Sequence, residues 1–155
     1  MDLKSFFDRE FSEHEAVMHA TQAALAAPFM VLCEVAETTL KAGNKIMFFG
    51  NGGSAADAQH LAAELIVRYK VNRAPLAAMA LTTDSSTLTA GGNDFGYDTI
   101  FESQLRALGR AGDLAIGITT SGNSMNVLNA LRAAKEIGAT PAALAGKDGG
   151  KLVGV

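Results

Sequence analysis

A chain of 155 residues is long enough for one domain with a sizeable core. Apolar residues make up 48% and charged residues 19%, a soluble globular balance, and the net charge of -3 gives no electrostatic reason to expect nucleic acid as the main partner. The single cysteine, Cys33, excludes an intrachain disulfide and fits a reducing compartment.

Leu32 and Val35 beside Cys33 suggest a buried structural thiol. The N-terminal segment carries charges where a signal peptide needs apolar residues. The apolar run from Ala23 to Cys33 is interrupted by Pro28 and is short for a bilayer span. A cytoplasmic protein with no membrane partner is expected.

In chain order, Phe7, Phe11, His14, Met18, Thr21 and Leu25 recur at alternating four- and three-residue spacing, which predicts a helix from about Leu3 to Ala26. Pro28 suits the first turn of a second helix that Gly43 ends. These two opening helices would cover a sheet or meet a second subunit. His14 lies in the packing stripe and reads as a packed residue, not a ligand.

From Lys45 the pattern changes. Lys45 to Phe49, Leu76 to Leu81, Asp113 to Thr119 and Thr140 to Leu144 are short apolar strands. Gly50-Asn-Gly-Gly-Ser54 and a helical pattern follow the first, Thr120-Ser-Gly-Asn-Ser124 and a helix follow the third, and the turn Gly146-Lys-Asp-Gly-Gly150 follows the fourth. Strands alternating with helices predict an α/β fold, a parallel sheet with helices on both faces preceded by the two N-terminal helices. No composition break divides the chain, so residues 1–155 read as a single domain.

In such a sheet, ligands collect at the carboxyl ends of the strands, where helix N-termini present free amides and a positive dipole end. Thr119, Thr120, Ser121 and Ser124 add hydroxyls there, and Gly122 allows close backbone approach. That composition suits a terminal phosphate. The first loop matches neither the P-loop nor the dinucleotide fingerprint. Its simpler reading is a strand-to-helix turn with Ser54 as N-cap and Asp57 completing a variant capping box. Two such loops in one sheet favour an anion site.

On the helix after Ser54, the residues Ala56, Leu61, Ala62, Ala63 and Leu65 read as core. Asp57, Glu64 and Arg68 fall within roughly 20° of one direction, with His60 nearby. His60 and Glu64 could share a zinc ion, although on spacing alone a helix-surface hydrogen bond explains the pair more simply. Glu64 is also the best general-base candidate, because proton abstraction beside a carbonyl needs a carboxylate held near the ligand. Gly92-Asn-Asp-Phe-Gly96 reads as a turn whose Asn93 and Asp94 could accept sugar hydroxyl protons.

Together these segments resemble the sugar isomerase (SIS) family, and within it the phosphoheptose isomerases. The resemblance is carried by Gly50-Asn-Gly-Gly-Ser54, His60 with Glu64 ahead of Arg68-Tyr69, Gly92-Asn-Asp-Phe-Gly96, Thr119-Thr-Ser-Gly-Asn-Ser124 and Gly146-Lys-Asp-Gly-Gly150. It implies a flavodoxin-like fold and a homotetramer with active sites between subunits. It also implies isomerisation of sedoheptulose 7-phosphate to D-glycero-D-manno-heptose 7-phosphate, an entry to lipopolysaccharide heptose. Asn51, Gly52, Gly53, Ser54, Asn93 and Asp94 would contact substrate, and Thr119, where the family usually has Ser, would hold the phosphate with Thr120, Ser121 and Ser124. Glu64 would move the proton through an enediol, and His60 with Glu64 would ligate one zinc per subunit.

The family pattern continues with a further strand and a closing helix carrying a Gln and a His. The sequence ends at Val155 without them, so it is expected to be cut short. The remaining zinc ligands are therefore not in the chain. Two alternatives compete with the isomerase: a non-catalytic relative that binds the replication initiator, and a sugar-phosphate sensor. Glu64, His60 and the intact Asn93-Asp94-Phe95-Gly96 segment argue against the first.

Overall fold

The computed structural model describes residues 2–155, and the chain divides into two compact units between Val35 and Ala36. The first consists of most of one helix, α1, which runs without interruption over Leu3–Lys41 and contains Pro28. The sequence predicted two helices with a break at this proline. Pro28 removes one helical N–H donor, and the alanine-rich segment before it favours the helix strongly enough to carry the chain through. Gly43, at φ 79°, ends the helical stretch as expected.

The predicted stripe on α1 is not buried in the single chain. Phe7, Phe11, Met18 and Leu25 are 59%, 62%, 52% and 50% exposed, and His14 is exposed as well. Cys33 is also exposed, against the expectation of a buried thiol, because two apolar neighbours do not bury a position on an uncovered helix face. As one uninterrupted helix, α1 is long and apolar enough to cross a membrane by length and composition, with an 18-residue window of mean hydropathy 1.5. The broken-run reading of 23–33 is corrected on that point.

The second unit is a parallel α/β sheet. Its elements are β1 (Ile46–Gly50), α2 (Gly53–Ile66), β2 (Ala78–Ala80), α3 (Ser85–Phe95), α4 (Ile100–Leu108), β3 (Leu114–Thr119), α5 (Met125–Glu136) and β4 (Thr140–Ala145), with 3-10 turns at Tyr97–Thr99 and Gly150–Gly154. The strand order is β2-β1-β3-β4 and every pairing is parallel. All residues of β1 and β3 are buried, as strands covered on both faces require. Met47 and Phe49 join Phe101, Leu105, Val127 and Leu131 in one core layer, where the Phe49 and Phe101 rings lie 5.6 Å apart. On α2 the buried residues are Ala58 and Ala62; Ala56 and Ala63, predicted as core, are exposed.

Gly50 and Ile118 are paired where β1 gives way to the first loop. A Cβ on Gly50 would lie 2.6 Å from the Ile118 carbonyl oxygen and 2.7 Å from the Ser54 Cβ, so only glycine lets the chain turn there. At the opposite end of the sheet, the Asp113 carboxylate is 1% exposed and holds two strands together. It accepts the Lys45 backbone N–H at 3.0 Å, the Lys45 ammonium at 2.6 Å and the Arg110 N–H at 2.7 Å.

Burial pushes the Asp113 carboxyl up, but the Lys45 ammonium and the two backbone N–H groups outweigh it and leave it below the ordinary 3.8. A depressed folded-state value stabilises the fold above the unfolded value and loses that contribution as pH falls through the folded one. Urea titrations should therefore show wild-type stability falling below about pH 3.8. Asp113→Ala should cost about 3 kcal/mol at neutral pH and flatten that acid limb. An unchanged acid limb would show that Asp113 does not act as this clamp.

Candidate functional site

From β1 the chain crosses to β2 on one side, and the next strand, β3, lies on the other. The boundary between β1 and β3 is therefore the topological switch point, outside whose carboxyl ends open α/β sheets bind ligands. The two loops singled out in the sequence, 50–54 and 119–124, leave these two strand ends.

The loops present helix N-termini without side-chain caps. The N-cap of α2 is Gly52, at φ 58°, and no side chain caps the helix. Ser54, predicted as N-cap, lies inside the first turn, donating its N–H to the Asn51 carbonyl at 3.0 Å, so the Ser54–Asp57 capping box does not form. The N-cap of α5 is Ser124, yet its hydroxyl caps no N–H. It lies 3.2 Å from the hydroxyl of Thr119.

By contrast, α3 carries its own acid cap. Asp84 accepts the Thr87 N–H at 2.9 Å, and that bond holds its carboxyl below the ordinary value. The helices beside the switch point have no side-chain cap competing with an anion at their dipole ends, although Ser54 and Ala55 of α2 and Val127 of α5 donate their N–H groups to the Asn51, Gly52 and Ser124 carbonyls; α3 carries its own acid.

In the second loop, Thr120 is exposed and Ser121 and Ser124 half-buried, whereas Thr119 is 5% exposed beneath them. Thr119 thus supports Ser124, and the open hydroxyls are Thr120, Ser121 and Ser124. Gly122 adopts φ 65° and packs on the Gly149 carbonyl, with no room for a Cβ. Asn123 donates to the Ser121 carbonyl at 2.8 Å and accepts the Lys151 N–H at 3.3 Å. The Gly146–Gly150 segment, a motif without an assigned role in the sequence, is the backing of this loop.

Asn51 in the first loop forms a reciprocal amide pair with Asn126 of α5, 2.9 Å in each direction, and accepts the Tyr97 hydroxyl at 3.1 Å. The sequence reading missed Asn126 and Tyr97. The available signal for Asn126 was an amide directly before the core residues Val127 and Leu128. Asn93 and Asp94 form the last turn of α3, not a free turn, because Asp84 starts a helix that runs through Gly91 and Gly92 to Gly96. Both side chains are exposed, and Asn93 donates to Asp94 at 2.7 Å. The same α3 end leads to Tyr97, which joins it to Asn51.

Glu64 is placed differently from what the sequence suggested. It stands ten residues beyond Ser54 on α2, about 15 Å along the axis at 1.5 Å per residue, so the chain does not bring it to its own loops. It lines an open cavity of about 530 Å³ with Ala63, Val67, Arg68, Tyr69 and Lys70. Arg73, another residue the sequence reading missed, donates to the Glu64 and Leu65 carbonyls at 2.7 Å each and fixes this end of the helix. His60 Nε2 is 3.8 Å from Glu64 Oε1, with the two side chains 74% and 32% exposed. Among the described residues no group of three or more His, Cys, Asp or Glu side chains surrounds a metal-sized site.

The SIS domain family model matches residues 11–146. A phosphoheptose isomerase of Paramagnetospirillum magneticum is 57% identical over 155 residues, covering 100% of this chain and 81% of that protein. One of Aliarcobacter butzleri is 51% identical over 150 residues, 97% of this chain and 79% of that protein. The solved phosphoheptose isomerase from Neisseria gonorrhoeae superposes with a TM-score of 0.92 at 46% identity, across 99% of this chain and 80% of that one. That from Francisella tularensis gives 0.95 at 34% identity, across 99% and 81%. The sheet order, the two uncapped loops at its switch point and this likeness along the whole chain have one explanation: the chain belongs to the SIS domain family.

Proposed function

We propose that the protein is an aldose-ketose isomerase that converts sedoheptulose 7-phosphate to D-glycero-D-manno-heptose 7-phosphate. The observation that carries this reading is the paired, uncapped loops at the switch point of a chain 57% identical over its whole length to a phosphoheptose isomerase. Thr120, Ser121 and Ser124 with the first amides of α5 hold the phosphate. Asn51 to Ser54 orient the sugar, and Asn93 and Asp94 contact its hydroxyls. Glu64 removes the proton from C1 to give the enediol and returns it to C2, leaving the aldehyde at C1. The proton that passes between the two oxygens belongs to a second group. Supply of heptose to lipopolysaccharide is the pathway we assign to this product.

The separation of Glu64 from the loops supports a site shared between copies. One copy supplies the loops and another supplies Glu64 from its 63–70 cavity. The exposed Phe7, Phe11, Met18 and Leu25 of α1 supply apolar surface for such association, and the homotetramer is our proposal for its form. No nucleic-acid or membrane partner is part of the proposal, and the single thiol supports a cytoplasmic setting. Zinc is a weaker fit. His60 and Glu64 offer two donors where a tetrahedral site takes four, and the described residues add no third. A zinc ion would need ligands from elsewhere, and no step above depends on one.

Incubation with sedoheptulose 7-phosphate should yield the aldose, and failure to do so would remove the isomerase reading. Glu64→Gln should lower kcat by at least about a hundredfold while leaving the affinity for inorganic phosphate within about twofold; near-normal turnover would exclude Glu64 as the base. Replacing Thr120, Ser121 and Ser124 together by Ala should weaken phosphate binding by about tenfold or more, since each bond to a charged group contributes roughly 1.5–3 kcal/mol. Co-expressing that triple variant with Glu64→Gln should restore part of the activity that each lacks alone. Mixed assemblies with no activity would place Glu64 and the loops of one site on the same chain.

A further inference from the structure

We infer that Asn126 is a positioning residue for substrate: it acts through Asn51, locking the sugar-orienting loop to the helix that begins at the phosphate loop. This rests on the sugar-phosphate reading of the two loops. Asn126 is the second residue of α5, directly after the Ser124 N-cap and Met125, and is 2% exposed. A buried amide on a face otherwise formed by Val127, Leu128 and Ala130 costs stability unless both of its polar ends are paired. Both ends are paired to one partner, Asn51, across 75 residues of sequence.

The pairing fixes what Asn51 presents. Its carbonyl oxygen already accepts two donors, the Asn126 amide at 2.9 Å and the Tyr97 hydroxyl at 3.1 Å. One of its two amide hydrogens goes to the Asn126 carbonyl at 2.9 Å. An Asn side chain has two donors and two acceptor lone pairs, so what remains is one N–H of fixed direction. Asn51 therefore offers its ligand a single donor, suited to a sugar carbonyl or hydroxyl oxygen. Without Asn126 the side chain would rotate and could present either end. Because Asn126 belongs to the first turn of α5, the direction of that donor is set relative to the phosphate-binding hydroxyls. The distance from phosphate to sugar oxygen is thereby built into the fold.

Calorimetric titration of the protein with sedoheptulose 7-phosphate and with inorganic phosphate separates the sugar contribution from the phosphate contribution. Asn126→Ala should weaken sugar-phosphate binding by about tenfold, the effect of one well-placed hydrogen bond, and change inorganic phosphate affinity by less than about twofold. In an Asn51→Ala background the same substitution should add no further loss, because its effect passes through Asn51. Tyr97→Phe, at a position 59% exposed, removes only the second donor to the Asn51 carbonyl and should give a smaller loss with the same dependence on Asn51.

Equal losses for the two ligands, or losses that persist in full without Asn51, would overturn the inference. So would a wild-type protein that binds the sugar phosphate no more tightly than inorganic phosphate. If Asn126→Ala does not fold, Tyr97→Phe alone and with Asn51→Ala decides by the same two criteria. Absence of aldose product with this binding pattern intact would defeat the isomerase reading and leave the positioning role standing.

Discussion

The parallel pairing of β1 with β3 is the constraint on which the rest of this site depends. Five residue pairs, from Ile46 with Leu114 to Gly50 with Ile118, set the two strands in register. Their carboxyl ends therefore finish side by side. A slip by one residue would exchange the buried faces of Met47 and Phe49 for those of Ile46 and Phe48, which the core layers do not allow. Asp113 secures the amino ends of the same two strands by accepting from Lys45 and Arg110. Gly50 and the Asn51–Asn126 pair define the other end. A charged clamp thus secures one end of the sheet, and neutral amide and hydroxyl contacts order the loops at the other.

The pattern of helix capping follows the same division. A helix N-terminus has four N–H groups without internal partners, and an acid or hydroxyl cap usually satisfies one of them. Asp84 does this for α3. At α2 the cap position is a glycine, and at α5 the Ser124 hydroxyl lies beside Thr119 instead of capping. Leaving these ends without a side-chain cap costs a few tenths of a kcal/mol at α2, where Gly52 holds the cap position, and up to about 1 kcal/mol at α5. A bound phosphate would recover that cost, since its oxygens accept the same N–H groups. On the proposed reading, the loops would trade a little stability of the free protein for affinity.

Much of this was legible in the sequence because it depends on local chemistry. The four apolar strands, the glycines after them and the hydroxyls of the second loop fixed the α/β class and both loop positions to within a few residues. What failed depended on context. Pro28 marks a helix break by local propensity, yet α1 continues through it. Gly92 to Gly96 read as a turn, but the Asp84 cap upstream carries α3 through to Phe95. Ser54 had the composition of an N-cap, whereas the positive φ of Gly52 moved the helix start back. Asn126 and Tyr97 were not visible as site residues because their partner, Asn51, is distant in sequence and only the β1–β3 register brings them together.

The position of Glu64 follows from helix geometry and has a consequence for association. A helix that starts at the switch point runs away from it, so a side chain near its far end, such as Glu64, is carried about 15 Å along the axis from Ser54. Bringing Glu64 closer to the first loop of its own chain would require α2 to unwind or shift. The helix is held against such movement by Ala58 and Ala62 in the core and by Arg73 on its final carbonyls. In the proposed isomerase, with Glu64 as base and 119–124 as phosphate cradle, each would face the complementary half of another copy. In the proposed assembly, apolar α1 surface and an incomplete site would then be answered by the same association. Catalysis would be confined to the oligomer, and the free chain would bind sugar phosphate without turning it over.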